Sequence, residues 1–172
     1  MKKFLISIIS ITLILTNIFP CASAINTNEI SNETVSVLIS ETIQDFGDGS
    51  KIITRIYEDI PLNNYSTYST SFTKTGSKTQ TGYSNSNDVI WTLTSKGTFS
   101  VVSGTSSKCT AASYSYTAPG SGWSLKSGTG SATKSSNKAI AKGTFIKKVL
   151  GVTVETVNAT CTLTCDVNGN LS

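Results

Sequence analysis

Cysteines and a few carboxylates are the side chains of this chain that could carry out chemistry. The 172-residue sequence contains no histidine, which excludes Ser-His-Asp and Cys-His nucleophile systems, imidazole metal sites and histidine-based pH switches. From Pro61 onward the acidic residues are Asp88, Glu155 and Asp166, and their spacing does not suggest the paired carboxylates of a hydrolase. We therefore predict a protein that is not an enzyme and that needs no cofactor.

The first 24 residues are typical of a secretory signal peptide. Lys2 and Lys3 precede an apolar run of about 15 residues, shorter than the ~20 that a permanent membrane helix needs, and Ala22-Ser23-Ala24 supplies a small-x-small cleavage site. We predict cleavage after Ala24 and a secreted, extracellular protein. A lipoprotein anchored through Cys21 is the rival interpretation, but Pro20 stands where that processing needs a small residue.

Cleavage would leave Cys109, Cys161 and Cys165, and an odd number outside the cell indicates one disulfide and one spare thiol. Alternating apolar positions place Cys161 and Cys165 on one strand, roughly 13 Å apart and beyond disulfide reach of about 7 Å. Cys109 must then pair with one of them. Their positions at strand ends favour a bond between Cys109 and Cys165, which leaves Cys161 as the free thiol. The alternative bond, between Cys109 and Cys161, stays open. Three cysteines without histidine argue against a metal site.

Strands must position these residues. Serine and threonine supply 40 of the 112 residues from Pro61 to the end, together with 11 glycines, and this composition disfavours helices and suits strands joined by tight turns. About eight strands between turn clusters predict an all-β fold, an antiparallel β-sandwich that is immunoglobulin-like or similar. The predicted strands span 34–46, 51–60, 77–83, 89–102, 109–116, 123–127, 138–149 and 153–167.

Charge divides the predicted mature chain into two parts. Residues 25–33 are a flexible lead-in, 34–60 an N-terminal β-hairpin around a turn-rich quartet, and 61–172 the sandwich body. Residues 25–60 hold seven acids against Lys51 and Arg55, whereas the body holds ten lysines against three acids. Most of these lysines are expected to be solvated groups that protect strand edges. Outside a cell, a basic body also suits an anionic cell-wall polymer or polysaccharide.

Aromatic side chains are the candidates for binding, because sugars are held largely by stacking on flat rings. Trp123, with Tyr114 and Tyr116 close in sequence, is the possible ligand platform, and the structural alternative is that Trp123 caps one end of the core. We predict a non-catalytic cell-surface or extracellular-matrix binding module of unknown ligand. A membrane-active or toxin-like β protein is the alternative, although the hydroxyl-rich segment 66–87 has few apolar residues for a pore, and a carboxylate-based hydrolase ranks lower. Nucleic acid and stable membrane insertion are not expected, and the oligomeric state stays open.

Short motifs carry a resemblance to a known group of proteins. They are the segments Ile52-Ile53-Thr54-Arg55-Ile56-Tyr57-Glu58, Ile90-Trp91-Thr92-Leu93-Thr94, Gly97-Thr98-Phe99 and Thr162-Leu163-Thr164-Cys165-Asp166. Together with the exported N-terminus, they resemble uncharacterised small secreted β-rich proteins of Gram-positive anaerobic bacteria. The resemblance implies an exported β-rich domain in which the cysteines matching Cys109 and Cys165 form the pair. It implies no activity and no catalytic residue.

Overall fold

A computed structural model describes residues 33–62 and 70–172. The predicted signal peptide with Cys21 and nearly all of the lead-in lie outside the described residues, and segment 66–87 lies partly outside them. The described residues form antiparallel β-sheets and no helix, so the described part of the chain is all-β. Its nine strands are β1 (Thr34–Asp45), β2 (Lys51–Pro61), β3 (Ser71–Tyr83), β4 (Val89–Val102), β5 (Ser106–Thr117), β6 (Trp123–Leu125), β7 (Ser131–Ser135), β8 (Lys138–Val149) and β9 (Val152–Thr164).

The first sheet, sheet A, contains the first five strands in chain order, each pairing antiparallel with the next. Strand β2 pairs with β3 from Lys51 opposite Tyr83 to Asp59 opposite Thr75. The N-terminal hairpin is therefore continuous with the rest of the sheet. This order differs from immunoglobulin connectivity, in which consecutive strands are divided between two sheets. We predicted a sandwich that is immunoglobulin-like or similar, and the described strands do not follow the immunoglobulin order.

The second sheet, sheet B, is built around β8. Strand β9 pairs with one side of β8, while β6 and β7 share the other side. Trp123 of β6 lies opposite Lys147, and Ser131 of β7 lies opposite Lys142. We did not predict β7, because its five residues include no large apolar side chain whose alternation could reveal a strand.

The core lies between sheet B and strands β3 to β5 of sheet A. Apolar residues alternate along β4 of sheet A and β8 of sheet B, and Leu93 and Phe99 of β4 and Phe145 of β8 have no exposed surface. Glycine allows the sheets to approach, because a Cβ atom on Gly97 would lie 2.8 Å from the Cβ of Ala139. Small and large side chains thus interlock across the interface.

Two buried polar side chains bond one sheet to the other. The Ser95 hydroxyl of β4 donates to the backbone carbonyl of Ala139 in β8 at 2.9 Å. The Cys161 thiol of β9 donates to the carbonyl of Lys78 in β3 at 3.0 Å. Because buried donors are costly when left unpaired, these bonds help to determine how the sheets align.

Candidate functional site

The aromatic residues predicted as a ligand platform divide into a buried one and an exposed pair. Trp123 is 8% exposed and belongs to a core cluster with Trp91 and Phe145. Gly120 covers it closely, since a Cβ atom there would lie 2.8 Å from the indole Cδ1. Its ring is therefore not available for stacking on a ligand, which corrects this part of our expectation. The alternation of Trp123 with Leu125 is the sequence signal for a half-buried strand.

Tyr114 and Tyr116 lie two residues apart on β5 and keep open surface, 37% and 47% exposed. Their ring centroids are 6.5 Å apart and their planes differ by 13°. Tyr116 also meets the ring of Phe145 edge-on at 6.4 Å between centroids. Core packing thus fixes the orientation of the pair, while the remaining ring surface faces solvent at the margin between the two sheets. Nearly parallel, preorganised rings suit the apolar faces of sugars.

A cleft of about 420 Å³ lies farther along the same strand. Its lining includes Lys108 and Thr110 of β5, together with Lys134 and Ser136 from the other sheet. The Lys134 ammonium donates to the carbonyl of Thr110 at 3.0 Å, which holds this cation at the cleft. Two lysines and two hydroxyl groups suit a carboxylate, sulfate or phosphate group.

The tyrosine pair and the cleft both lie along β5, and we call their residues together the β5 flank: Lys108, Thr110, Tyr114, Tyr116, Lys134 and Ser136. Lys108 and Tyr116 are eight residues apart, which corresponds to about 25 Å along a strand. We did not predict the two lysines, because only the pairing of β7 in sheet B brings Lys134 beside Thr110. The sequence signal for this surface is the absence of acids between Asp88 and Glu155.

All three described cysteines are free thiols. The predicted Cys109–Cys165 disulfide is therefore not formed in this structure, and it stays a prediction for the oxidised protein. Cys109 and Cys165 share one core cluster, whereas Cys161 belongs to the other. The β7–β8 turn accepts a hydrogen bond from each of the two predicted partners. The Cys109 N–H donates to the Ser136 carbonyl at 2.7 Å, and the Cys165 N–H donates to the adjacent Asn137 carbonyl at 3.0 Å. One turn thus holds the two predicted partners.

Burial makes the thiols poor nucleophiles. It raises the pKa of Cys109 and Cys165 above the ordinary value and raises the pKa of Cys161 to about 11. Since the thiolate is the reactive form, Cys161 is inert at neutral pH. Within the described residues, no group of three or more cysteine, aspartate or glutamate side chains could hold a metal ion.

The carboxylates of residues 61–172 lie in three different turns or strands. Asp166 accepts bonds from the backbone N–H groups of Asn168 and Asn170, each at 2.8 Å, and from the Asn170 amide. These bonds lower the pKa of Asp166, the side-chain bond from Asn170 most of all. The carboxylate therefore stabilises the C-terminal turn. Asp88 lies in the β3–β4 turn and Glu155 is exposed on β9.

Comparisons of the chain with protein-family models, with curated proteins and with solved structures find no match. In the described part of the chain there is also no helix with the length and apolar character to span a bilayer. The β5 flank is therefore the feature of the molecule from which we infer a function.

Proposed function

We propose that this chain is a secreted, non-catalytic β-sandwich module that binds an anionic polysaccharide along the β5 flank. The observation that carries the proposal is the placement of an exposed, oriented tyrosine pair and a lysine-lined cleft on one strand. Rings that stack on sugar faces and cations that attract acidic substituents are complementary parts of such a site.

The dimensions of the flank support a polymer ligand over a small molecule. A span of about 25 Å accommodates several sugar units, and the exposed surface is a strip along a strand more than a deep enclosed pocket. Cell-wall polymers and extracellular polysaccharides that carry acidic groups present such repeated, extended chemistry. The basic charge of residues 61–172 adds long-range attraction to the same ligands.

The test is retention of the purified protein on immobilised alginate, a carboxylated polysaccharide, with dextran as the neutral comparison. We expect retention on alginate that falls at least severalfold in Lys108→Gln and in Tyr116→Leu, and that weakens as salt is raised. The matched control is Lys142→Gln, because Lys142 is an exposed lysine on the central strand of sheet B and outside the flank. If Lys142→Gln loses as much retention as Lys108→Gln, overall charge and not the β5 flank explains the binding. Absence of retention by the unmodified protein would refute the proposal for this ligand class.

A further inference from the structure

The turn between β8 and β9 presents apolar side chains for which folding gives no reason. Val149 lies opposite Val152, and between them Leu150 and Gly151 both have positive φ angles, 50° and 82°. This is the two-residue type I′ turn, which strongly favours asparagine at the position of Leu150 because that conformation is strained for most L-residues. We define Val149, Leu150, Gly151 and Val152 as the hairpin tip.

Leu150 gains nothing from the fold in return for this strain. Its side chain is 99% exposed, and Val149, Val152 and the neighbouring Val154 are 50%, 65% and 58% exposed. A fully exposed leucine in a left-handed conformation is disfavoured twice, by backbone sterics and by hydration. A binding event that removes the tip from water explains both features.

The tip extends past the last pairing of β8 with β6. The last contact that this ribbon makes with another strand or loop of sheet B is at Lys147 and Lys148, where Lys147 lies opposite Trp123 and the Lys148 N–H donates to Gly122. Beyond that point β8 and β9 pair with each other alone. A projecting apolar tip fits a deformable, planar partner such as a bilayer interface better than it fits a folded protein surface.

The charges behind the tip favour the same partner. Lys147 and Lys148 directly precede it, and although Glu155 of β9 lies opposite Lys147, the two lysines leave this end of the ribbon with a net positive charge. Lysines one or two residues behind an apolar tip would lie at the level of lipid headgroups once the tip is inserted, where anionic phosphates attract them. This pattern of apolar tip and basic collar is typical of peripheral membrane attachment.

We propose that the hairpin tip docks the protein reversibly on an anionic lipid surface, with Leu150 inserted among the headgroups and Lys147 and Lys148 on lipid phosphates. The proposal is independent of the polysaccharide site, because the tip and the β5 flank share no residue. It describes attachment by a turn and does not require any strand to cross the bilayer.

The decisive variant is Leu150→Asn, because asparagine suits the turn and removes the apolar side chain. The full chain is tested for co-sedimentation with vesicles of phosphatidylcholine and phosphatidylglycerol in equal parts, and with phosphatidylcholine alone. We expect binding to the anionic vesicles, at least tenfold weaker in Leu150→Asn, with thermal stability unchanged or raised. Lys148→Gln should weaken it about fivefold and Lys142→Gln much less.

Tryptophan fluorescence tests whether the hairpin tip itself enters the lipid surface. In Leu150→Trp, fluorescence of the new side chain should shift to shorter wavelength on anionic vesicles, whereas the native Trp91 and Trp123 are already buried. Vesicle binding that Leu150→Asn leaves intact would overturn the proposal. So would the absence of vesicle binding, or concentration-dependent self-association that Leu150→Asn abolishes, since the tip would then serve a second copy of the chain.

Discussion

The two halves of sheet A share one hydrogen-bonded ladder but are stabilised differently. Strands β3 to β5 face sheet B, and β4 alone contributes Trp91, Leu93, Phe99 and Val101 to the buried core. Strand β1 extends beyond that cover and β2 lies at its edge. Among the described residues of these two strands only Ile53 and Ile56 are buried, and Ile56 belongs to the core cluster that contains Phe99 and Leu163. We call these the covered half and the uncovered half.

Ion pairs supplement the limited core packing of the uncovered half. Each of the three pairs found among the described residues uses a side chain of β2: Arg55 with Glu41 of β1, Glu58 with Lys74 of β3, and Asp59 with Lys96 of β4. The last two join an acid of the N-terminal hairpin to a lysine of the body. The uneven charge of the sequence therefore has a structural role, because it attaches an otherwise weakly packed hairpin to the rest of the sheet.

The largest expected difference in unfolding free energy is between core substitutions in the covered half and similar substitutions in the uncovered half. Phe99→Ala should lower the free energy of unfolding by about 3–5 kcal/mol, because it empties a fully buried site. Ile43→Ala on β1, where the side chain is 55% exposed, should change it by only about 0.5 kcal/mol. Urea unfolding measures both. If Phe99→Ala fails to fold, Phe99→Leu should still cost more than Ile43→Ala. Equal losses at the two sites would contradict the division into halves.

The second prediction is that oxidation of two cysteines raises the free energy of unfolding through a bond in the covered half. A Cys109–Cys165 bond would link β5 to the residue after β9 and so join the two sheets, and its long loop corresponds to about 4 kcal/mol in the chain-entropy model. We expect unfolding of the oxidised protein to shift to lower urea after reduction. The control is Cys161→Ala, in which the shift on reduction should persist. Peptide mapping that places Cys161 in the bond would refute the pairing.

A smaller effect tests the polar attachment of the uncovered half. Burial acts to raise the pKa of Asp59, but hydrogen bonds from Ser36 and Lys96 outweigh it and hold the pKa below its ordinary value. A lowered carboxyl pKa stabilises the fold above the unfolded value of about 3.9, and this stability is lost as pH falls through the folded value. Asp59→Asn should therefore destabilise at neutral pH by about 1–2 kcal/mol.

Measuring the stability of Asp59→Asn as a function of pH tests whether the ionised carboxylate is responsible. Once the pH falls below the lowered folded-state pKa of Asp59, the carboxyl is protonated in both states, and the difference between Asp59→Asn and the unmodified protein should shrink. Asp48→Asn is the matched variant, because Asp48 is an exposed acid of the same hairpin bonded only within its own turn to Ser50. If the loss of stability in Asp59→Asn is the same at all pH values, the ionised carboxylate is not its cause.

The smallest expected effect concerns the pair between β1 and β2. Arg55 and Glu41 are about one-third exposed and lie 2.6 Å apart between Nε and Oε2. Such a pair is worth about 0.2–1 kcal/mol and is screened by salt. Arg55→Gln and Glu41→Gln should each cost this little, and a double-mutant cycle should show their coupling fall at high salt. A coupling above about 2 kcal/mol would mean that β1 depends on this pair far more than exposed pairs allow.

Sequence patterns predicted the covered half well. Apolar and polar residues alternate in the sequence along β4, β8 and β9, and the inward faces that contain Leu93, Phe145 and Cys161 follow this alternation, because a strand turns every second side chain to the same side. The turn-rich quartet likewise predicted the β1–β2 hairpin. The start of β3 and all of β7 were not predicted, since their serine- and threonine-rich residues carry no apolar alternation.

The all-β character, the inward faces of the long strands and the division of charge follow from local period and composition alone. The packing of distant strands buries Trp123 but leaves Tyr114 and Tyr116 exposed. It also places Lys134 beside Thr110 and leaves Leu150 covered by nothing. The physical reason is that a strand pattern shows which side chains share a side, whereas exposure depends on which distant strand packs against that side.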